Sequence, residues 1–178
     1  RYVSQKDNGI YDAMNKGIKM SHGQIIGIIN SDDYYEIDAV ESIVSKFDSK
    51  KMQVIYGYMN IIRNNGTKKV LIIPHTKLKE RMINHSTCFV SRKIYQKYGL
   101  FNIHFKIAAD YDLMLRLSKK KDVEFIQIPK ILADFREGGV SSSYKTQLEK
   151  KFIQVRYGGI SISDFFTFLI EYIYKYSR

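Results

Sequence analysis

The chain has one cysteine, Cys88, among 178 residues. A single thiol excludes an internal disulfide framework and makes a reducing, cytoplasmic setting the natural reading. Four histidines, His22, His75, His85 and His104, lack the spacing of zinc ligands. No window approaches the ~18 uncharged apolar residues of a membrane-spanning helix. Internal repeats, low-complexity linkers, and helix-turn-helix or zinc-finger signatures are also missing, so no nucleic-acid partner is expected. Acids are scarce relative to bases, 18 against 29, leaving a net charge of +11. That excess favours an anionic partner such as an acidic lipid surface or a phosphate-bearing substrate, without choosing between them. What the chain does have is 44% hydrophobic residues, enough for one domain with a sizeable core. It opens on Arg1 in polar sequence, without the pattern of a signal peptide, and is expected to be a fragment.

Periodicity gives the elements. Ile10, Met14 and Ile18 mark one face of a helix over residues 9–20, stopped by Ser21, His22 and Gly23. The apolar run 24–30 reads as one buried parallel strand. Asp38 with Glu41 is a capping-box pattern opening a helix whose buried stripe is Val40, Ile43, Val44 and Phe47. Residues 54–62 and 69–73 form a hairpin around Asn64, Asn65 and Gly66, ended by Pro74. A short strand at 88–90 leads through Ser91, a capping residue, to a helix ended by Gly99. Leu113 and Leu117 place a helix over 110–117, and two short strands flank Pro129. Residues 144–157 form a mostly polar helix. The last helix, 164–176, carries a wide apolar face of Phe165, Phe168, Leu169, Tyr172 and Ile173, which packs on protein or lies in a membrane interface.

Two acidic pairs carry the chemistry. Asp32 and Asp33 follow the first strand, where ligands gather at the carboxyl ends of an open α/β sheet. Hard oxygen ligands there suit Mg²⁺ or Mn²⁺ bridged to phosphate, although a turn closed by Asp33 would show the same residues. Asp110 and Asp112 open a helix after Ala108 and Ala109. A carboxylate held at a helix N-terminus can serve as a general base, or simply cap the helix.

Several segments in order resemble one family. They are residues 9–17 (GIYDAMNKG), 28–33 (IINSDD), Tyr56-Gly57, His85, 109–117 (ADYDLMLRL), and Phe135 followed by Gly138, Gly139 and Ser141. Together they resemble a family 2 glycosyltransferase with the GT-A fold, of the bacterial surface-polysaccharide type. The resemblance implies a Rossmann-like α/β domain with a mixed, mainly parallel sheet flanked by helices. It further implies inverting transfer of a sugar from a nucleotide-diphosphate sugar, a UDP-sugar being expected, to an acceptor hydroxyl. On it Asp32 is the first metal ligand, with Asp33 a second ligand or a contact to the donor's ribose or sugar. Asn30 stands where many relatives carry the first acid of that motif. Asp110 is the catalytic base and Asp112 an accompanying acid; Ala109 departs from the glutamate that often precedes the base. Gly9, Asp12 and Asn15 match a segment lining the donor site, with helix-cap and turn roles as the alternative. His85 faces the active site as a supporting residue, with a histidine satisfied by backbone as the alternative, and Lys16, Arg116 and Arg136 are basic candidates for the diphosphate or for structural pairing. Gln154, Arg156 and Tyr157 are similar to a motif of processive relatives, but spacing and last residue differ.

The resemblance covers about residues 4–141. It implies that about 60 to 80 residues of nucleotide-binding βαβ units are absent before Arg1. The expected organisation is a partial GT-A domain at 1–141 and a C-terminal helical extension at 142–178. The implied pathway is capsule, O-antigen or exopolysaccharide synthesis in the bacterial cell envelope. The acceptor is then a glycan or lipid-linked glycan, met at the cytoplasmic face of the inner membrane. The alternative is a catalytically inactive docking module derived from such an enzyme, and a second is a metal-dependent phosphoesterase using the same acids.

Overall fold

The computed structural model describes residues 2–136 and 144–176. Helix α1 spans Ile10–Met20, and Gly9 precedes it at φ 112°, a left-handed region that favours glycine. Tyr11, Met14, Asn15 and Ile18 turn toward the core at i, i+3, i+4 and i+7. The expected face is therefore rotated at its start, and Ile10 is exposed. The reason is polar: Asn15 is buried because its amide clasps the backbone of Phe101, accepting from the N–H at 3.0 Å and donating to the C=O at 2.9 Å.

Strands β1 (Ile25–Gly27) and β2 (Tyr34–Tyr35) flank the first acidic loop. Helix α2 follows at Ala39–Val44, then the hairpin of β3 (Met52–Ile62) and β4 (Lys68–Leu71). After β5 (Phe89–Ser91) come α3 (Arg92–Tyr98), α4 (Ala109–Ser118), β6 (Val123–Arg136), α5 (Tyr144–Arg156) and α6 (Ile162–Tyr176). The sheet order is β1-β5-β3-β6-β2, with β4 sharing the edge of β3 that β5 uses.

The sheet is mixed, as expected, but its parallel share is small. Of the five pairings among described strands only β3 with β6 is parallel. Strand β1, read as parallel from its apolar run, pairs antiparallel with β5. Direction follows from the connections: β6 returns to the sheet through α3 and α4, the kind of crossover that parallel neighbours require.

Alternation along the strands builds two cores. Val54, Tyr56 and Val90 face a large cluster with α1, α3, α4 and α5, while Ile55 and Phe89 face a smaller one with Ala39 and Ile43 of α2. Helix α2 buries only that i, i+4 pair; Val40 and Val44 are exposed, contrary to the expected stripe. Asp38 makes no side-chain cap and pairs instead with Lys130. Ser91 likewise does not cap α3, because its hydroxyl accepts the Gln53 N–H at 3.0 Å.

The two strands expected around Pro129 are one, β6, whose ladder to β3 slips between Tyr56 and Met59. Proline cannot donate to a ladder, so the strand bulges there. Gly57 accommodates the bulge: a Cβ on it would stand 2.6 Å from the Lys130 carbonyl oxygen and from the Leu132 side chain.

Helix α4 is buried nearly all round through Tyr111, Asp112, Leu113, Met114, Leu115 and Leu117. Each fully buried leucine contributes about 1.5–3 kcal/mol, which makes α4 a rigid mount for whatever its N-terminus presents. The boundary expected between 141 and 142 lies outside the described residues. Beyond it, α5 adds Ile153 to the larger cluster and so belongs to the same packed unit. Phe165, Phe168, Leu169 and Tyr172 of α6 are half-buried, while Ile162, Phe166, Ile170, Ile173 and Tyr174 are exposed. Among the described residues no helix is long and apolar enough to cross a membrane.

Candidate active site

The loop after β1 closes in a turn, Asp33 N–H donating to the Asn30 carbonyl at 3.2 Å. Its two acids then diverge. Asp32 is exposed and forms no hydrogen bond or ion pair with the described residues. Asp33 is buried and fully engaged: Oδ2 accepts from Ser86 at 2.8 Å and from Asn30 at 3.4 Å, and Oδ1 accepts the Arg136 N–H at 3.3 Å. Asp33 thus ties the loop to the end of β6 and to the turn before β5, leaving Asp32 to meet solvent or ligand.

That turn, His85–Thr87, carries the second feature. Both ring nitrogens of His85 and Oδ1 of neighbouring Asn84 are shielded from solvent without a hydrogen-bond partner among the described residues. Buried polar atoms without partners are rare in folded proteins, and these stand beside Ser86 in the chain. The His85 ring stands edge-on to Phe101 at 6.1 Å, and Phe101 packs on Tyr11 at 5.4 Å.

Tyr11 leads to the second acidic pair. Its hydroxyl approaches Oδ1 of Asp110 at 2.9 Å and the Ile107 carbonyl at 2.7 Å. Burial, then the Asp110 carboxylate, push this phenol far above its usual range, so it remains a proton donor throughout the physiological range. Asp110 sits half-buried in the first turn of α4, where the helix dipole favours a carboxylate. A contiguous set, Asp33, Ser86, His85, Phe101, Tyr11 and Asp110, therefore joins the two acid-bearing loops.

The loop before α4 is fixed from outside. Glu149 of α5 accepts the N–H groups of Lys106, Ile107 and Ala108 at 2.8, 2.9 and 2.9 Å, the last belonging to the N-cap residue of α4. Gln154 donates to Tyr111 at 3.3 Å and to the Glu80 carbonyl at 2.7 Å. Asp112, two residues past Asp110, is buried and taken by Tyr157 at 3.0 Å, with Arg116 3.8 Å away. It anchors α4 to the end of α5.

The other candidates have places or partners within the fold. Gly9 supplies the positive φ before α1, and Asp12 accepts the Asn8 N–H at 3.0 Å and pairs with Lys16, which hold its carboxyl below the usual range. Lys16 also pairs with Asp7 at 2.6 Å, and Asn15 is committed to Phe101. Arg116 donates to the carbonyls of Tyr98 and Leu100. Gly138, Gly139 and Ser141 lie outside the described residues. Tyr11, Ser86 and Glu149 were not singled out from sequence. Tyr11 stands inside the 9–17 motif and on the inward helical spacing, which was the available signal; Ser86 and Glu149 had none, since their partners are 53 and 41–43 residues away.

Among the described residues no three acids, histidines or cysteines cluster as a protein metal cage. One free carboxylate, that of Asp32, is compatible with Mg²⁺ or Mn²⁺ brought in on phosphate, because such ions are commonly held by one or two carboxylates plus phosphate oxygens.

The model of the family described as "Glycosyl transferase family 2" matches residues 1–109. Chondroitin synthase of Escherichia coli is 33% identical over 126 residues, covering 67% of this chain and 18% of that protein. A PGL/p-HBAD biosynthesis glycosyltransferase of Mycobacterium bovis is 24% identical over 151 residues, covering 83% of this chain and 58% of the relative. In structure, S. aureus TarS 1-349 in complex with UDP-GlcNAc aligns with a TM-score of 0.63 at 13% identity, over 87% of this chain and 48% of that one. The chain thus spans less than two thirds of the length of these relatives, and its fold is that of GT-A glycosyltransferases. With the family match covering residues 1–109, more than half of its length, the chain belongs to glycosyl transferase family 2.

Proposed function

We propose that the protein transfers a sugar, with inversion, from a nucleoside-diphosphate sugar to an acceptor hydroxyl, with Asp110 as base and Asp32 at the diphosphate. The observation that carries this is the Asp110 carboxylate, mounted on the buried helix α4 and oriented by Tyr11, in contact continuity with the loop bearing the free Asp32. Tyr11 occupies Oδ1 of Asp110 and leaves the other oxygen to take the acceptor's proton. As the acceptor oxygen forms its bond to the anomeric carbon, the bond from that carbon to the diphosphate breaks. The diphosphate leaves with the electron pair, and attack from the opposite face inverts the centre.

A divalent ion held by Asp32 and the donor's phosphates would neutralise charge on the departing diphosphate. His85, whose ring nitrogens have no hydrogen-bond partner among the described residues, is the proposed supporting contact to the donor. UDP is the favoured nucleotide, since TarS is seen in complexes with UDP-GlcNAc and UDP. A glycan or lipid-linked glycan acceptor fits the chain's net charge of +11 and the exposed apolar residues of α6, both suited to peripheral contact with an anionic membrane. Surface-polysaccharide synthesis is the matching pathway.

The test is Asp110→Asn in the complete enzyme. Nucleoside-diphosphate binding should persist while sugar transfer falls by at least ~10²-fold. Unchanged turnover would remove Asp110 as base, and release of free sugar phosphate instead of a glycoside would replace transfer by phosphoester hydrolysis.

A further inference from the structure

We propose that Glu149 is a positioning residue for Asp110, acting through a single peptide group and the Tyr11 phenol. The inference rests on the reading of Asp110 as the base.

The peptide joining Ile107 to Ala108 is engaged at both ends. Its N–H, on Ala108, donates to Glu149 Oε2 at 2.9 Å; its carbonyl, on Ile107, accepts from Tyr11 at 2.7 Å. The same phenol lies 2.9 Å from Asp110 Oδ1. A hydroxyl has one proton, so the Ile107 carbonyl and the Asp110 carboxylate share it. Donation of the Ala108 N–H to a carboxylate polarises the peptide and strengthens its carbonyl as an acceptor. Glu149 therefore holds the phenol in place from the far side of the peptide. It also moderates how much of the phenol proton Asp110 receives, keeping the base free to accept one from the acceptor.

Two features separate this from an ordinary helix cap. Glu149 takes three successive N–H groups rather than one, fixing the whole segment from which Asp110 projects. It also comes from α5, so the reacting group is set by an element far along the chain, 41 residues or more from the N–H groups it holds. Tyr11, buried on α1, completes the clamp from the opposite side.

The experiment uses the complete enzyme and follows nucleotide release from the fastest-reacting member of a panel of UDP- and GDP-sugars. Variants are Glu149→Gln, Tyr11→Phe, their double, and Asp110→Asn, with the melting temperature recorded for each. Glu149→Gln keeps side-chain shape and should lower kcat at least ~10-fold with donor KM unchanged, as expected when the reacting geometry alone is disturbed. Tyr11→Phe should do the same. Because both act on one shared proton, the double variant should lose little more than the worse single one. Wild-type kcat in Glu149→Gln, or strictly additive losses in the double variant, would overturn the proposal. Asp110→Asn separates the two levels: loss of turnover there with none in Glu149→Gln overturns only the role of Glu149. Retained turnover in Asp110→Asn overturns the base assignment, and the role of Glu149 with it.

Discussion

Ser86 donates its hydroxyl proton to Asp33 across 2.8 Å, joining two points 53 residues apart, while Asp32 next to it forms no hydrogen bond or ion pair with the described residues. Adjacent acids thus have separate work. Asp33 ties the loop to the fold and Asp32 is exposed. Asp33→Ala should cost about 2 kcal/mol, the scale of losing charge-assisted hydrogen bonds inside the fold. Asp32→Ala should stay within about 0.5 kcal/mol of wild type. Urea unfolding of both variants measures this, and equal losses would contradict the division.

Asn15 answers a similar question on α1. Its amide serves the N–H and the C=O of Phe101, both buried. Asn15→Ala should therefore destabilise by about 2–3 kcal/mol, because two polar groups lose their partner inside the core. Nucleotide affinity of the folded protein should not change. A selective loss of nucleotide binding with normal stability would return Asn15 to the donor site.

The acid at the end of β6 sets a pH dependence. Asp134 is buried and accepts from Lys68 at 2.6 Å, Tyr34 at 2.8 Å and Asn60 at 2.8 Å. Burial pushes its carboxyl up, but those hydrogen bonds outweigh it and leave it below the usual value. A depressed carboxyl stabilises the fold above the unfolded value, about 3.9, and loses that contribution as pH falls through its own lower value. Asp134→Asn should be less stable than wild type at pH 7, and the gap should close below about pH 4. Melting curves from pH 7 to pH 3 check it; a gap that widens in acid would contradict the account.

Local signals served well where structure is local. The spacing of Leu113 and Leu117 marked α4, and Asn64, Asn65 and Gly66 marked the turn between β3 and β4, because helix periodicity and turn chemistry are written in neighbouring residues. The acids Asp32 and Asp110 were legible for the same reason, as motif residues at element ends. What stayed hidden depends on distant partners. The inward face of α1 begins at Tyr11 because Asn15 meets Phe101. Strand β1 runs antiparallel to β5 because of connections that no periodicity encodes. Glu149 reads as one more polar residue on a polar helix until the fold sets it against three backbone N–H groups of the loop before α4.

The central claim is that this chain holds a nucleotide-sugar diphosphate at Asp32. The most direct measurement is the thermal shift of the complete enzyme with UDP, GDP and other nucleoside diphosphates, with and without Mn²⁺, beside Asp32→Asn. Stabilisation should require nucleotide and metal together and disappear in the variant, reaching about 2.7 kcal/mol at a hundredfold excess over Kd. No shift with any nucleotide, or an undiminished shift in Asp32→Asn, would contradict it.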